Sequence, residues 1–177
     1  RILCSLFQSC TTRTAGFLTV DQSELSNSGS ILSVILMFVG GSSGSTAGGI
    51  KTTTFAVFLI SNFCFARNND NIVVFKKRLD TSSVKQAGSI VCVYLSAVLL
   101  SAFVICMAEP FGIREIFYEV VSAIATVGLS MNMTSSLGSL SKIIIILLMY
   151  TGRIGGVSMV MVLAEKKERS MLERPVG

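Results

Sequence analysis

The 177-residue sequence has no histidine and no tryptophan, and only 14% of its residues are charged. Without histidine the chain lacks the side chain most often used as a general base or metal ligand near neutral pH. The shortage of charge argues against an ordinary soluble domain, in which about a quarter of residues are charged. The five cysteines (Cys4, Cys10, Cys64, Cys92 and Cys106) show no C-x-x-C spacing, so they read as buried apolar fillers and not as disulfide or metal ligands. The chain begins at Arg1 inside an apolar phrase, RILCSLF, with no initiator methionine and no signal-peptide pattern, as expected for a piece of a longer polypeptide.

What is present is apolar: 51% of residues are hydrophobic and the mean hydropathy is +0.70. Residues 86 to 108 carry no charge and are long enough, at ~1.5 Å per helical residue, to cross a hydrocarbon core of ~30 Å. Further uncharged stretches cover 30 to 50, 52 to 66 and most of 138 to 164, the last interrupted by Lys142 and Arg153. Between them, 67 to 85 holds five basic residues against Asp70 and Asp80, whereas 18 to 29 holds only Asp21 and Glu24. The positive-inside rule therefore places 67 to 85 and the basic tail after Ala164 in the cytoplasm, and the acidic stretch outside. Lys51, Lys76, Lys77 and Arg78 are expected at the cytoplasmic boundary beside anionic headgroups.

A continuous helix over 30 to 66 would be about 55 Å long, too long for a straight crossing. The break is expected at GGSSGSTAGG, residues 40 to 49, where five of ten residues are glycine. Each costs a helix ~1 kcal/mol relative to alanine, and Ser42, Ser43, Ser45 and Thr46 supply hydroxyls for the freed backbone. The alternative is a helix-packing ladder of Gly40, Gly44 and Gly48 at four-residue spacing. A nucleotide-phosphate loop is disfavoured, because Ile50 occupies the place where that motif needs lysine and Lys51 follows one residue late.

Sliding the sequence by 112 positions pairs Thr14 with Thr126, Gly16 with Gly128, Ser23 with Ser135, Ile31 with Ile143, Met37 with Met149 and Gly40 with Gly152. Each copy runs from a short apolar helix through a Thr-x-Gly turn and a polar loop into a long apolar helix. In the second copy the short helix, 113 to 125, lies between one span running outward and one running inward, so 109 to 137 enters and leaves on the same side as a re-entrant loop. Non-helical backbone at that depth survives only where protein buries it or a wet cavity borders it. In such a turn, successive carbonyls can replace the hydration shell of a cation, and the C-terminal end of the preceding helix adds partial negative charge. Taken singly, each tripeptide also reads as plain loop, and Phe17 and Leu129 read as packing residues. Arg13 is expected to point away from the permeant ion into the scaffold, since like charges repel. Arg153 stands alone in apolar sequence, at the repeat position of Gly41, and a charge at that depth faces a cavity or a partner. It is expected to donate to freed carbonyls of the glycine loop and to form a positive barrier, or else to pair with an acid elsewhere in a longer chain.

TTRTAGF, GGSSGSTAGGIKTTT, ATVGLS and TGRIGG occur in this order over practically the whole chain. In them the sequence resembles the Trk/Ktr/HKT superfamily of potassium transport proteins, most closely the bacterial Ktr-type and Trk-type membrane subunits. The resemblance implies an all-α, multi-pass protein of a bacterial cytoplasmic membrane, built of helix, re-entrant pore loop, helix units around a pseudo-fourfold pore. This chain would be the C-terminal half: 1 to 66 a partial third repeat, 67 to 85 a cytoplasmic linker, 86 to 165 the fourth repeat and 166 to 177 a cytoplasmic tail. Carried over, Thr12, Arg13, Thr14, Ala15 and Gly16, with Ala125, Thr126, Val127, Gly128 and Leu129, line a filter that binds K⁺ by backbone carbonyls. Gly40, Gly41, Ser42, Ser43, Gly44, Ser45, Thr46, Ala47, Gly48 and Gly49 form the gate loop, and Arg153 the barrier. The implied partners are membrane lipid, the N-terminal half of the polypeptide, a second copy in a homodimer and a cytosolic RCK-type nucleotide-binding regulatory subunit. No nucleic acid, covalent cofactor or enzymatic activity is implied. A secondary transporter with a midplane site at the broken helix is the rival reading, although its repeats would usually be inverted, and here both copies run the same way.

Overall fold

Apolar runs separated by polar turns fold into six α-helices in the computed structural model, which describes residues 2–45, 47–67, 73–74 and 77–154. Helix α1 (Ile2–Thr11) is followed by a one-turn 3-10 helix at Gln22–Glu24, then α2 (Asn27–Phe38) and α3 (Thr52–Ala66). Next come α4 (Thr81–Ala108), α5 (Ile113–Ile124), a second one-turn 3-10 helix at Thr134–Ser136, and α6 (Ser139–Ile154). Among the described residues the chain is all-α apart from a small antiparallel hairpin, β1 (Val73–Val74) with β2 (Lys77–Arg78), inside the linker expected at 67 to 85. Residues 155 to 165, expected to complete the last span and including Gly156, lie outside the described residues, as does the tail from 166 onward.

The repeat is reproduced in register. The 3-10 helices begin at Gln22 and Thr134 and the long helices at Asn27 and Ser139, in both cases 112 residues apart. The copies diverge where α2 stops at Phe38 while α6 runs on through Gly152 to Ile154. The cause is composition: Arg153 stands where the first copy has Gly41, and arginine favours helix over glycine. α4 starts five residues before the uncharged run and is the one helix among the described residues long and apolar enough to cross a bilayer by itself.

α5 is the centre of the fold. It packs against α2, α4 and α6, and Ile116, Tyr118 and Val120 are fully buried. Opposite it, α4 contributes Val91, Tyr94, Val98, Ala102 and Ile105 to the core, while Leu95, Leu99, Phe103 and Met107, spaced by four, form an exposed apolar stripe. Such a face suits acyl chains or further apolar protein. The cysteines correct the expectation of burial: all five are free, four are exposed and Cys64 is half-buried. An apolar thiol is as acceptable on a lipid-compatible face as in a core, so hydropathy alone does not sort the two.

Polar side chains join the copies. The Tyr118 hydroxyl donates to Gln22 Oε1 at 2.7 Å; Gln8 Nε2 donates to the same oxygen at 2.6 Å, and Gln22 Nε2 donates to the Val20 carbonyl at 2.7 Å. Arg114, at the start of α5, donates to Ser30 Oγ at 3.1 Å, to Asn27 Oδ1 at 2.9 Å and to the Leu25 carbonyl, stapling α5 to the first turn of α2. Glu109, just past α4, accepts from the Gly138 amide at 2.7 Å and from Ser141 Oγ at 2.8 Å, supplying donors at the start of α6 with a carboxylate acceptor.

Gly152 and Gly88 are both helical glycines, but only Gly152 is pressed by a neighbour. A Cβ at 152 would lie 1.9 Å from the Ile124 carbonyl oxygen, whereas at 88 nothing lies within 4 Å. Gly152→Ala is expected to lower the melting temperature of the detergent-solubilised full-length protein by several degrees, and Gly88→Ala to leave it unchanged or raise it by the helix-propensity gain of about 1 kcal/mol. A thermal-shift comparison checks both.

Candidate functional site

Each short helix ends in a turn of unusual backbone. After α1 the amides of Ala15 and Gly16 both donate to the Thr11 carbonyl, at 3.2 and 3.1 Å. After α5 the amide of Thr126 donates to the Ala123 carbonyl and that of Val127 to the Ser122 carbonyl, both at 3.0 Å. Thr14 and Gly16 have φ of +65° and +72°, and Thr126 and Gly128 have +55° and +86°, with Ala15 and Val127 between them on the ordinary side. A β-branched residue in the left-handed region is a true outlier, costing of order 1–3 kcal/mol. Two threonines bear it at repeat-equivalent positions. Alternation of hand along an extended turn rotates successive peptide planes so that their carbonyls can face one side.

The ten predicted turn residues divide by environment. Thr12 is buried, with its hydroxyl donating to the Ser9 carbonyl at 2.9 Å, and the neighbouring Thr11 hydroxyl holds the Phe17 carbonyl at 2.7 Å. Ala125, Val127 and Leu129 are buried, Leu129 as the expected packing residue; Ala15 and Gly128 are exposed, and Thr14, Gly16 and Thr126 are half-buried. Arg13, expected to turn into the scaffold, is instead exposed, because Thr11 and Thr12 already occupy the inward side of the turn.

Three backbone segments converge on the end of α5 by omitting side chains. A Cβ on Gly16 would sit 2.2 Å from the Val127 carbonyl oxygen, so the two turns lie against each other backbone to backbone. A Cβ on Gly48 would sit 2.1 Å from Thr126 Oγ1, and one on Gly49 3.2 Å from the Ala125 Cα. Gly152 completes the set against Ile124.

The glycine stretch is a closed loop. The Gly40 amide donates to the Ile50 carbonyl at 2.9 Å and the Thr52 amide to the Gly41 carbonyl at 3.1 Å, with Val39 and Ile50 in a parallel bridge. Gly40, Gly48, Gly49 and Ile50 are buried and Gly41 and Ala47 half-buried, while Ser42, Ser43, Gly44 and Ser45 form an exposed tip; Thr46 lies outside the described residues. Ser45 serves the freed backbone as expected, its hydroxyl donating to the Ser42 carbonyl at 2.9 Å and accepting from the Ala47 amide at 3.3 Å. Lys51, expected among headgroups, turns back to within 3.5 Å of the Ser45 carbonyl. Because the segment is a loop, Gly40, Gly44 and Gly48 do not form a helical ladder, although Gly48 does permit close packing. The stretch follows a helix, so the strand a phosphate loop requires is missing here. Arg153, in the last described turn of α6, has an exposed side chain one residue after the Gly152 contact.

Sequence reasoning missed the polar contacts around the two turns. Asn132 Nδ2 donates to both oxygens of Asp21, at 3.2 and 3.1 Å, linking the loops that leave the turns. Asp21 also accepts from the Ser23 amide and hydroxyl, at 3.0 and 2.8 Å. These hydrogen bonds, the Ser23 amide first, hold its carboxyl below the usual carboxylate range. Only the left-handed φ of Asn132, +63°, in a type that tolerates it, marks this contact locally.

Residues 1–174 match the family described as "TrkH: Cation transport protein". The "Potassium/sodium uptake protein NtpJ" of Enterococcus hirae is 37% identical over 174 residues, covering 96% of this chain and 39% of that protein. The "Ktr system potassium uptake protein B" of Bacillus subtilis is 36% identical over 177 residues, covering 100% of this chain and 40% of that protein. In fold the chain is similar to the crystal structure of the potassium transporter TrkH from Vibrio parahaemolyticus, with a TM-score of 0.75 and 20% identity over 90% of this chain and 36% of that one. The chain thus spans about two fifths of the length of these relatives.

The Asp21 link carries a pH signature. A carboxyl whose folded pKa lies below its unfolded value stabilises the fold fully above the unfolded value and stops doing so as pH falls through the folded one. Asp21→Asn is therefore expected to lower the melting temperature of the full-length protein equally at pH 7 and pH 5, with the difference from wild type shrinking only below the ordinary value of 3.8. Melting curves across that range check it.

Proposed function

The chain belongs to the TrkH family of cation transport proteins, membrane transporters and not enzymes, and we propose that its parent polypeptide takes up potassium across a bacterial cytoplasmic membrane. The ion passes through a filter of backbone carbonyls to which this chain contributes two strands, Thr12 to Gly16 and Ala125 to Leu129. The supporting observation is the recurrence, 112 residues apart, of one strained turn with left-handed Thr and Gly after a short helix, the two copies touching at Gly16 and Val127. Carbonyls of neutral backbone select a cation without placing an acid in its path. The relative named as a potassium uptake protein supports K⁺ as the permeant ion. In the whole protein, the N-terminal repeats complete a pseudo-fourfold ring. A homodimer and a cytosolic nucleotide-binding subunit follow from the family resemblance, and the relative named as part of a Ktr system favours such an assembly.

Residues 40 to 49 act as the gate. Support comes from pinned, buried loop ends under Ala125 and Thr126 and an exposed tip at 42–45. Arg153, beside the contact of α6 with α5, adds a positive barrier beneath the filter. Deleting Ser43, Gly44 and Ser45 is expected to raise the uptake rate while preserving discrimination, since the pinned ends stay in place. Gly48→Ala, which drives a methyl into Thr126, is expected to impair both. Arg153→Ala is expected to increase conduction.

The deciding experiment is ⁸⁶Rb⁺ uptake into proteoliposomes holding the full-length protein, with excess K⁺ or Na⁺ in competition. Suppression by K⁺ and not by Na⁺ is expected, and Gly128→Ser is expected to erase the difference, because φ of +86° there disfavours any side chain. Equal suppression by both ions in wild type would overturn the potassium reading.

A further inference from the structure

Glu119 is the only buried carboxyl among the described residues, 6% exposed and midway along α5. Its Oε1 accepts a hydrogen bond from the Thr134 hydroxyl, and Thr134 shares a second, at 2.8 Å, with Ser130 Oγ. Thr134 opens the second 3-10 helix, and Ser130 lies two residues past Gly128. The carboxyl therefore grips, from behind, the strand that leaves the fourth turn. Its other oxygen, Oε2, is sealed from solvent and has no hydrogen-bond partner. An atom already enclosed leaves no room for a further polypeptide segment to reach it, and an unpaired buried oxygen is costly enough that such a group is kept for a reason.

The repeat shows what the group replaces. Thr134 corresponds to Gln22, which the first copy's short helix also holds, but through Gln8, an amide-to-amide contact of 2.6 Å. Residue 7, at the position of Glu119, is phenylalanine. Both copies thus fasten the residue that follows the turn to the helix that precedes it, the first with a neutral pair and the second with a carboxyl. A cavity of about 270 Å³ adjoins this clasp, bordered by Glu119, Ser122, Thr126, Gly128, Ser130 and Thr134. In its wall Thr126 Oγ1 also lacks a partner. The left-handed pair Thr126 and Gly128 lines that space, and the links from Glu119 through Thr134 to Ser130 are the side-chain hydrogen bonds that hold the departing strand on this side.

We propose that Glu119 is a positioning residue for ion discrimination: through Thr134 and Ser130 it holds the fourth filter strand in the geometry that admits K⁺ and refuses Na⁺. The inference rests on the potassium-filter reading. A looser strand closes around the smaller ion, so loss of the clasp raises Na⁺ passage before it abolishes transport.

The test uses the full-length protein in proteoliposomes and measures the ratio of the Na⁺ and K⁺ concentrations that half-suppress ⁸⁶Rb⁺ uptake, together with melting temperature and yield. Glu119→Ala and Thr134→Val are each expected to reduce the ratio about tenfold, and the double variant no further, because both remove one link. Glu119→Gln keeps an acceptor for Thr134 and is expected to retain the wild-type ratio. Wild-type ratios in the Ala and Val variants, whether or not stability falls, would overturn the proposal and leave the filter reading standing; so would a Gln variant as defective as Ala, or additive losses in the double variant. A wild type that does not distinguish the ions would overturn both readings.

Discussion

Backbone-to-backbone contact at the C-terminal end of α5 is the constraint on which the rest of this structure depends. Ile124, Ala125, Thr126 and Val127 are touched by Gly152, Gly49, Gly48 and Gly16, and at three of these four a methyl group would come within 2.2 Å of an atom of that segment. In an apolar medium, burial of hydrocarbon supplies little drive for association, so close van der Waals approach and hydrogen bonding must do it. Removing side chains is what lets a broken helix, a neighbouring turn and a following helix reach the same four residues. Each such contact also exposes backbone polar groups to the interior. The loop answers this by joining its own ends, Gly40 to Ile50 and Thr52 to Gly41, and by bending Ser45 back onto its tip.

Architecture and proposed mechanism follow from that convergence. The strained Thr126 is tolerable because its amide is held by the Ala123 carbonyl while Gly48 and Gly152 lie against its side chain, and around Thr14 the turn is closed by the Ala15 and Gly16 amides on the Thr11 carbonyl. The glycine loop is built so that its ends belong to the scaffold and its tip does not. This division suits an obstruction that moves without dismantling what lies above it. Gly48 against Thr126 places the loop's end and a turn residue in direct contact, so displacement of that end is felt in the turn.

A second layer, of polar side chains, ties the two copies together across long stretches of sequence. Arg114 spans 84 to 89 residues to the start of α2, Tyr118 spans 96 to Gln22, and Asn132 spans 111 to Asp21. All cross between copies, whereas the clasp at Glu119 and the cap from Glu109 stay within the second. Small contacts of this kind keep two quasi-equivalent turns in register, and the cysteines among the described residues are unpaired.

Much of this was readable from the residues alone, because it is local. Helix extents follow apolar runs ended by glycine or polar turns, and the break at 40 to 49 follows from helix propensity. The 112-residue repeat predicts matching starts for α2 and α6, since like sequence makes like local hydrogen bonds. What the sequence could not decide is which atoms meet. Hydropathy did not separate a buried thiol from one on a lipid-compatible face. Nor did the +5 net charge reveal that Arg13 turns outward, that Lys51 folds back, or that Glu119 sits behind a turn. Those outcomes depend on which residues, tens of positions away, already occupy the space, and only the tertiary structure settles that competition.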